Sequence, residues 1–153
     1  MPSSHRRHVV ALDGSPNSIA ALHRGVAETV SSGAELVVVH AVPETAAGDQ
    51  VHRVAGEAMM STLVEVALRR QPAVAASTVI VHGDPADAII DHAEKADLLL
   101  IGAAFERPPF DGSTIAAVLR GCHCPVLVCS SPDLPGRMSW TVRLPARTLA
   151  CRR

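Results

Sequence analysis

Aromatic side chains are nearly missing: the chain has one tryptophan, two phenylalanines and no tyrosine in 153 residues. A surface that stacks bases or sugars needs such rings, so their scarcity argues against nucleic-acid and sugar binding. The core must instead be packed with Val, Leu, Ile and Ala. Lysine is as scarce, with Lys95 standing alone and far from any glycine-rich loop. No Walker A sequence is present, so P-loop phosphoryl transfer has no anchor, and no G-x-S-x-G elbow offers a serine nucleophile. The longest apolar runs are strand-length, too short to span a bilayer. The opening "MPSSHRRH" is polar and leads straight into a strand, unlike a secretory signal. A net charge of −1 provides no footprint for nucleic acid. The expectation is therefore a cytoplasmic chain, with neither membrane nor nucleic acid as partner.

Four cysteines (Cys122, Cys124, Cys129 and Cys151) cluster late without a spaced framework, and reduced thiols are expected. "CHC" at 122–124 does not read as a metal site, because three consecutive residues rarely converge on one ion. Cys122 is expected to close a helix's apolar face and Cys124 to enter the last strand. His40, at a strand end, reads as a satisfied imidazole, and His5 and His8 as solvated.

What is present is an alternation. "HVVALD" (8–13) reads as a first strand, and Ser15-Pro16 supplies an N-cap followed by proline at the first helical position. Ile19, Leu22, Val26 and Val30 follow at helical spacing until Gly33. "ELVVVHAV" (35–42) is a second strand, followed after a loop by a helix over roughly 50–71 with Ala55, Ala58, Met59, Leu63 and Val66 as apolar positions. "STVIVHG" (77–83), a short helix from Asp84-Pro85 through Glu94, and "DLLLIGA" (97–103) come next. A helix at about 112–122 and the strand "PVLVC" (125–129) complete the unit.

Continuous β-branched strands separated by helices mean a parallel sheet covered on both faces. Right-handed crossovers make it a three-layer, doubly wound α/β fold with a five-stranded sheet in the order 3-2-1-4-5. Ligands of such sheets bind outside the carboxyl ends of the strands, where the order reverses. Those ends are "LDGS" (12–15) and "IGAA" (101–104).

"VVALDGSPNS", "VVVHAVPE", "VHGDPADAIIDHA" and "DLLLIGA…GSTIAAVLRGCHCPVLV" resemble the universal stress protein family, over about residues 7–129. The last piece is the most specific, with Gly-Ser, a helix and Cys-Pro-Val-Leu-Val at the family's spacing. The resemblance implies a Rossmann-like, flavodoxin-like fold, a dimer and a role in stress survival. Part of that family binds ATP through G-x-x-G-x9-G-[ST], with an aspartate after the first strand. Carried over, Asp13 is that aspartate, Ala41 lies beside the adenine, Gly102 is the first glycine, and Gly112 and Ser113 are the closing pair. Ser15 and Thr114 complete the candidate set, at the starts of the first and last helices.

The pattern is broken in one place. Phe105 stands at the second glycine position, and only six residues (Glu106 to Asp111) separate it from Gly112. Phenylalanine does not readily take a positive φ, and Pro108 and Pro109 each lack an N–H. Asp111 is placed to cap the next helix and satisfy the donors a phosphate would need. Phe105 and Phe110 are expected to fill the crevice, while Arg107 is the one group able to replace lost phosphate contacts. The expectation is a non-catalytic stress-response regulator with a degenerate adenine-nucleotide site and no certain cofactor. ATP is the ligand a surviving site would take. An ATP-binding switch of the same family and a nucleotide-cleaving enzyme of similar fold are the alternatives. The cleaving enzyme would want a glycine-rich phosphate loop after the first strand, where "LDGSPNS" has one glycine and a proline.

The family domain is expected over residues 1–130, with a basic tail over 131–153. From Ser130 onward there are five arginines against one aspartate, a net +4 that leaves the rest of the chain near −5. "SWTVRL" alternates with Trp140, Val142 and Leu144 on one side, consistent with a short strand, while the bland alternative is a disordered tail. An apolar last strand left bare is a pairing liability, so strand 125–129 is expected to form a homodimer that the tail extends. A further protein partner, of unknown identity, fits a regulatory role.

Overall fold

In the computed structural model, which describes residues 5–43, 50–102, 113–131 and 142–145, two helices open on the same device. Ser15 caps α1 (Pro16–Ser32) by accepting from the Ser18 N–H, and Asp84 caps α3 (Pro85–Ala93) by accepting from the Asp87 N–H. Each cap is followed by a proline, whose missing N–H costs nothing in the first turn. Gly33 ends α1 at φ +68, donating its N–H to the Thr29 carbonyl at 2.9 Å. The remaining helices are α2 (Gln50–Leu68) and α4 (Ser113–Gly121).

Between them run β1 (Arg7–Ala11), β2 (Glu35–Val42), β3 (Ala76–His82), β4 (Leu98–Gly102) and β5 (Pro125–Cys129). These five are all parallel and lie in the order β3-β2-β1-β4-β5, as expected. Alternate residues divide the core into two layers. Val9, Val37, Leu99 and Val126 pack with Ile89, Ile115 and Val118 of α3 and α4. Val10, Val38, Leu100 and Leu127 pack with Leu22, Val26, Met60 and Val64 of α1 and α2. Burial of both strand faces explains the unbroken apolar runs.

Three expectations need correction. First, β5 is not an edge: a sixth strand, β6 (Val142–Pro145), lies antiparallel on it, pairing Val126 with Leu144 and Val128 with Val142. The β5 side expected to receive a second copy therefore carries the chain's own residues 142–145. A tethered strand meets this edge at a far higher effective concentration than a separate molecule can. Second, α2 buries Met60, Val64 and Ala67, leaving Ala55, Ala58 and Val66 exposed. Third, His8 is buried, on the same side of β1 as Val10 and Leu12, with Nδ1 3.5 Å from the Thr29 hydroxyl. Trp140, Phe105, Phe110 and Cys151 lie outside the described residues.

Candidate functional site

Where β1 ends, Asp13 and Ser15 organise the turn into α1. The Asp13 carboxylate accepts from the Ser15 N–H at 2.8 Å, and the Ser18 hydroxyl accepts from the Asp13 N–H at 3.3 Å. The same hydroxyl donates to the Ser15 carbonyl at 3.0 Å, while Ser15 Oγ accepts from the Ser18 N–H. Burial works to raise the Asp13 pKa, and hydrogen bonds from Ser15 and Ser18 outweigh it, so the carboxyl sits below its ordinary value. Asp13 is therefore a stable anion with one oxygen tied into the turn. It can accept from a ribose or amino group and repels a phosphate.

Gly14 takes φ +87, a conformation that favours glycine. A Cβ there would lie 2.5 Å from Met59 Sδ, so the thioether of α2 sits directly over the turn. His40, at the end of β2, places Nδ1 2.8 Å from the Leu12 carbonyl. Its Nε2 comes 3.2 Å from where a Cβ on Gly56 would stand, so imidazole and α2 close the same side. Ala41, its neighbour, is half-buried and paired in register with Val81.

Gly102 ends β4, as the sequence reading required, but what approaches it is protein. A Cβ on Gly102 would fall 2.3 Å from the Asn17 carbonyl carbon and 2.4 Å from the Ser18 nitrogen. The first turn of α1 thus rests on β4. Asn17 also ties down the end of β5, its Oδ1 accepting from the Ser131 N–H at 2.8 Å. Next to it, Ser130 Oγ is buried and has no hydrogen-bond partner among the described residues.

The structure thus joins Asp13, Ser15 and Gly102 around the start of α1, with Ala41 one strand further out. Ser113 and Thr114 form the first turn of α4, and Gly112 lies outside the described residues. The sequence reading missed Asn17, Ser18, Met59 and Ser130. Only Ser18 carried a local signal, standing three residues after its cap.

The thiols lie elsewhere. Cys122 closes α4, donating its N–H to the Val118 carbonyl, and is buried with Cys124 in the layer beneath α3 and α4. The neighbouring Cys124 and burial together push the Cys122 thiol up. Burial raises Cys129, on the opposite face, to about 11.

Residues 5–130 match the model of the universal stress protein family. Among solved structures, the chain is similar to a universal stress protein in complex with cAMP, with 27% identity and a TM-score of 0.66 over 82% of this chain and 97% of that one. It is also similar to the universal stress protein UspA from Lactobacillus plantarum, with 26% identity, a TM-score of 0.61, and coverage of 81% and 97%. A universal stress protein from Archaeoglobus fulgidus in complex with dAMP shares the fold at 22% identity and a TM-score of 0.68, covering 81% and 97%. No curated protein matches the chain significantly.

Proposed function

The chain belongs to the universal stress protein family, and we propose that within it this protein is a cytoplasmic, non-catalytic stress-response regulator whose nucleotide crevice is closed by its own atoms. One observation carries this reading: the space beside Gly102 is filled by the Asn17–Ser18 backbone. A ligand at that glycine would have to displace the first turn of α1. Met59 over Gly14 adds a second closure on the adenosine side. The altered loop, with Phe105 for glycine, supports the same conclusion from sequence.

The protein purified from its host tests this reading. Extraction and chromatography should yield far less than one adenine nucleotide per chain, and incubation with ATP should yield no ADP or AMP. Stoichiometric nucleotide would overturn the closed crevice, and product formation would overturn the non-catalytic role.

A second reading, an ATP-binding switch, is favoured by Ser130. A buried hydroxyl without a partner is costly, and a ligand is one way to satisfy it. The relative in complex with cAMP supports the same class of ligand.

A further inference from the structure

The two edges of the sheet are treated differently. On the β5 side the outermost strand is β6, four residues long, containing Arg143 and ending in Pro145. Shortness, charge and proline are the devices that blunt an edge against pairing. On the other side, among the described residues, the outermost strand is β3, seven residues long and paired only with β2. Its sequence, "ASTVIVH", is rich in strand-forming residues and has no proline, lysine or carboxylate. Every second residue of β3 therefore turns an N–H and a C=O away from β2 with no strand among the described residues to receive them.

A groove of about 300 Å³ runs along this edge, between β3 and α2. Met60, Val64 and Ile80 give it an apolar lining, and Thr78 contributes from the strand. Glu57 and Glu65 stand along the helix side, both exposed. Among the described residues neither carboxylate has an ion pair. Two negative charges, an apolar lining and a bare backbone ladder make a consistent set of demands. The ladder asks for an extended chain, the lining for an apolar side chain, and the carboxylates for cations.

We propose that the β3–α2 groove is a docking site for an extended basic peptide segment of a partner protein, which adds a strand to β3 and presents arginines to Glu57 and Glu65. Spacing narrows the partner further. Eight helical residues separate the carboxylates, a rise of about 12 Å. An extended chain covers about 13 Å in four residues, and residues four apart share a face. The recognised pattern is thus arginine, any residue, an apolar residue, any residue, arginine, with the central side chain over Met60 and Val64. Main-chain bonds supply affinity and the alternating side chains supply selectivity, as in other strand-addition complexes. A second copy pairing β3 to β3 is disfavoured, because it would bring the groove-lining Glu57 and Glu65 of one copy beside those of the other. The groove shares no residue with the Asp13–Gly102 crevice, so its fate is independent of the nucleotide reading.

The test uses the full chain and a labelled peptide, Thr-Arg-Thr-Val-Thr-Arg-Thr, in a fluorescence anisotropy titration. Saturable binding that weakens with salt is expected, with a matching peptide carrying Glu for Arg remaining unbound. The double variant Glu57→Arg, Glu65→Arg changes only exposed positions and should weaken binding about ten-fold or more. Amide hydrogen exchange should slow across Ala76–His82 when the peptide is added. Absence of binding, equal binding by the double variant, or protection confined to other segments would overturn the proposal. Protection of Ala76–His82 without peptide, lost on dilution, would identify a second copy as the occupant and overturn it equally.

Discussion

Gly102 and Asn17 touch where a side chain would not fit: a Cβ on Gly102 would stand 2.3 Å from the Asn17 carbonyl carbon. The contact joins the end of β4 to the first turn of α1, beside the point where the strand order reverses. A glycine that reads in sequence as room for a ligand is packed here against a helix. Gly102→Ala should therefore cost about 1–3 kcal/mol of stability, the usual range for overpacking. Urea denaturation checks it. Unchanged stability together with a loss of nucleotide binding would return Gly102 to a ligand-facing role.

Ser130 gives the opposite sign. Its buried hydroxyl has no partner among the described residues, so Ser130→Ala removes an unmet desolvation cost without removing one of their hydrogen bonds. Stability should stay level or rise by up to about 1 kcal/mol. A clear drop in the denaturation midpoint would mean that the hydroxyl is engaged in solution, as the switch reading requires.

Asp13 links the turn to pH. Its folded pKa lies below the ordinary 3.8, so its stabilising contribution is complete above that value. The contribution is lost as pH falls below 3.8 through the folded pKa. Melting curves of the parent and Asp13→Asn should differ most near neutral pH and converge in that acid range. A gap that does not change with pH would mean that the hydrogen bonds to Ser15 and Ser18 do not depend on the charge.

β6 shields β5, so ending the chain at Ser131 should bare an apolar edge strand and promote self-association. Sedimentation velocity over a concentration series should show larger species for the truncated chain than for the intact one. Identical behaviour of the two would mean that β6 does not guard the edge.

The parallel sheet and its order were legible because the signals are local and repeated. Ser15-Pro16 and Asp84-Pro85 mark helix starts, and Val-rich runs mark strands buried on both faces. The buried face of α2 was not legible, because Val and Ala occur all round that helix and no single stripe stands out. His8 was misread for a related reason: its position on β1 faces the core, and its polarity hid that. The positions from Asp13 to Thr114 were picked out by local motifs and the family resemblance. The packing of Met59 on Gly14 and of Asn17 on Gly102 was not legible, because each spans a long stretch of chain. β6 announced itself only as a short alternation, and its partner strand depends on which edge the tail can reach.

Thermal unfolding in millimolar ATP tests the closed crevice most directly. A ligand present at 100 times its dissociation constant stabilises a protein by about 2.7 kcal/mol, a shift that a melt resolves easily. With Asn17 and Ser18 against Gly102 and Met59 over Gly14, the melting temperature should not move as ATP is raised. A saturable increase that disappears in Asp13→Ala or Ser113→Ala would contradict the account and make the protein a nucleotide-operated switch.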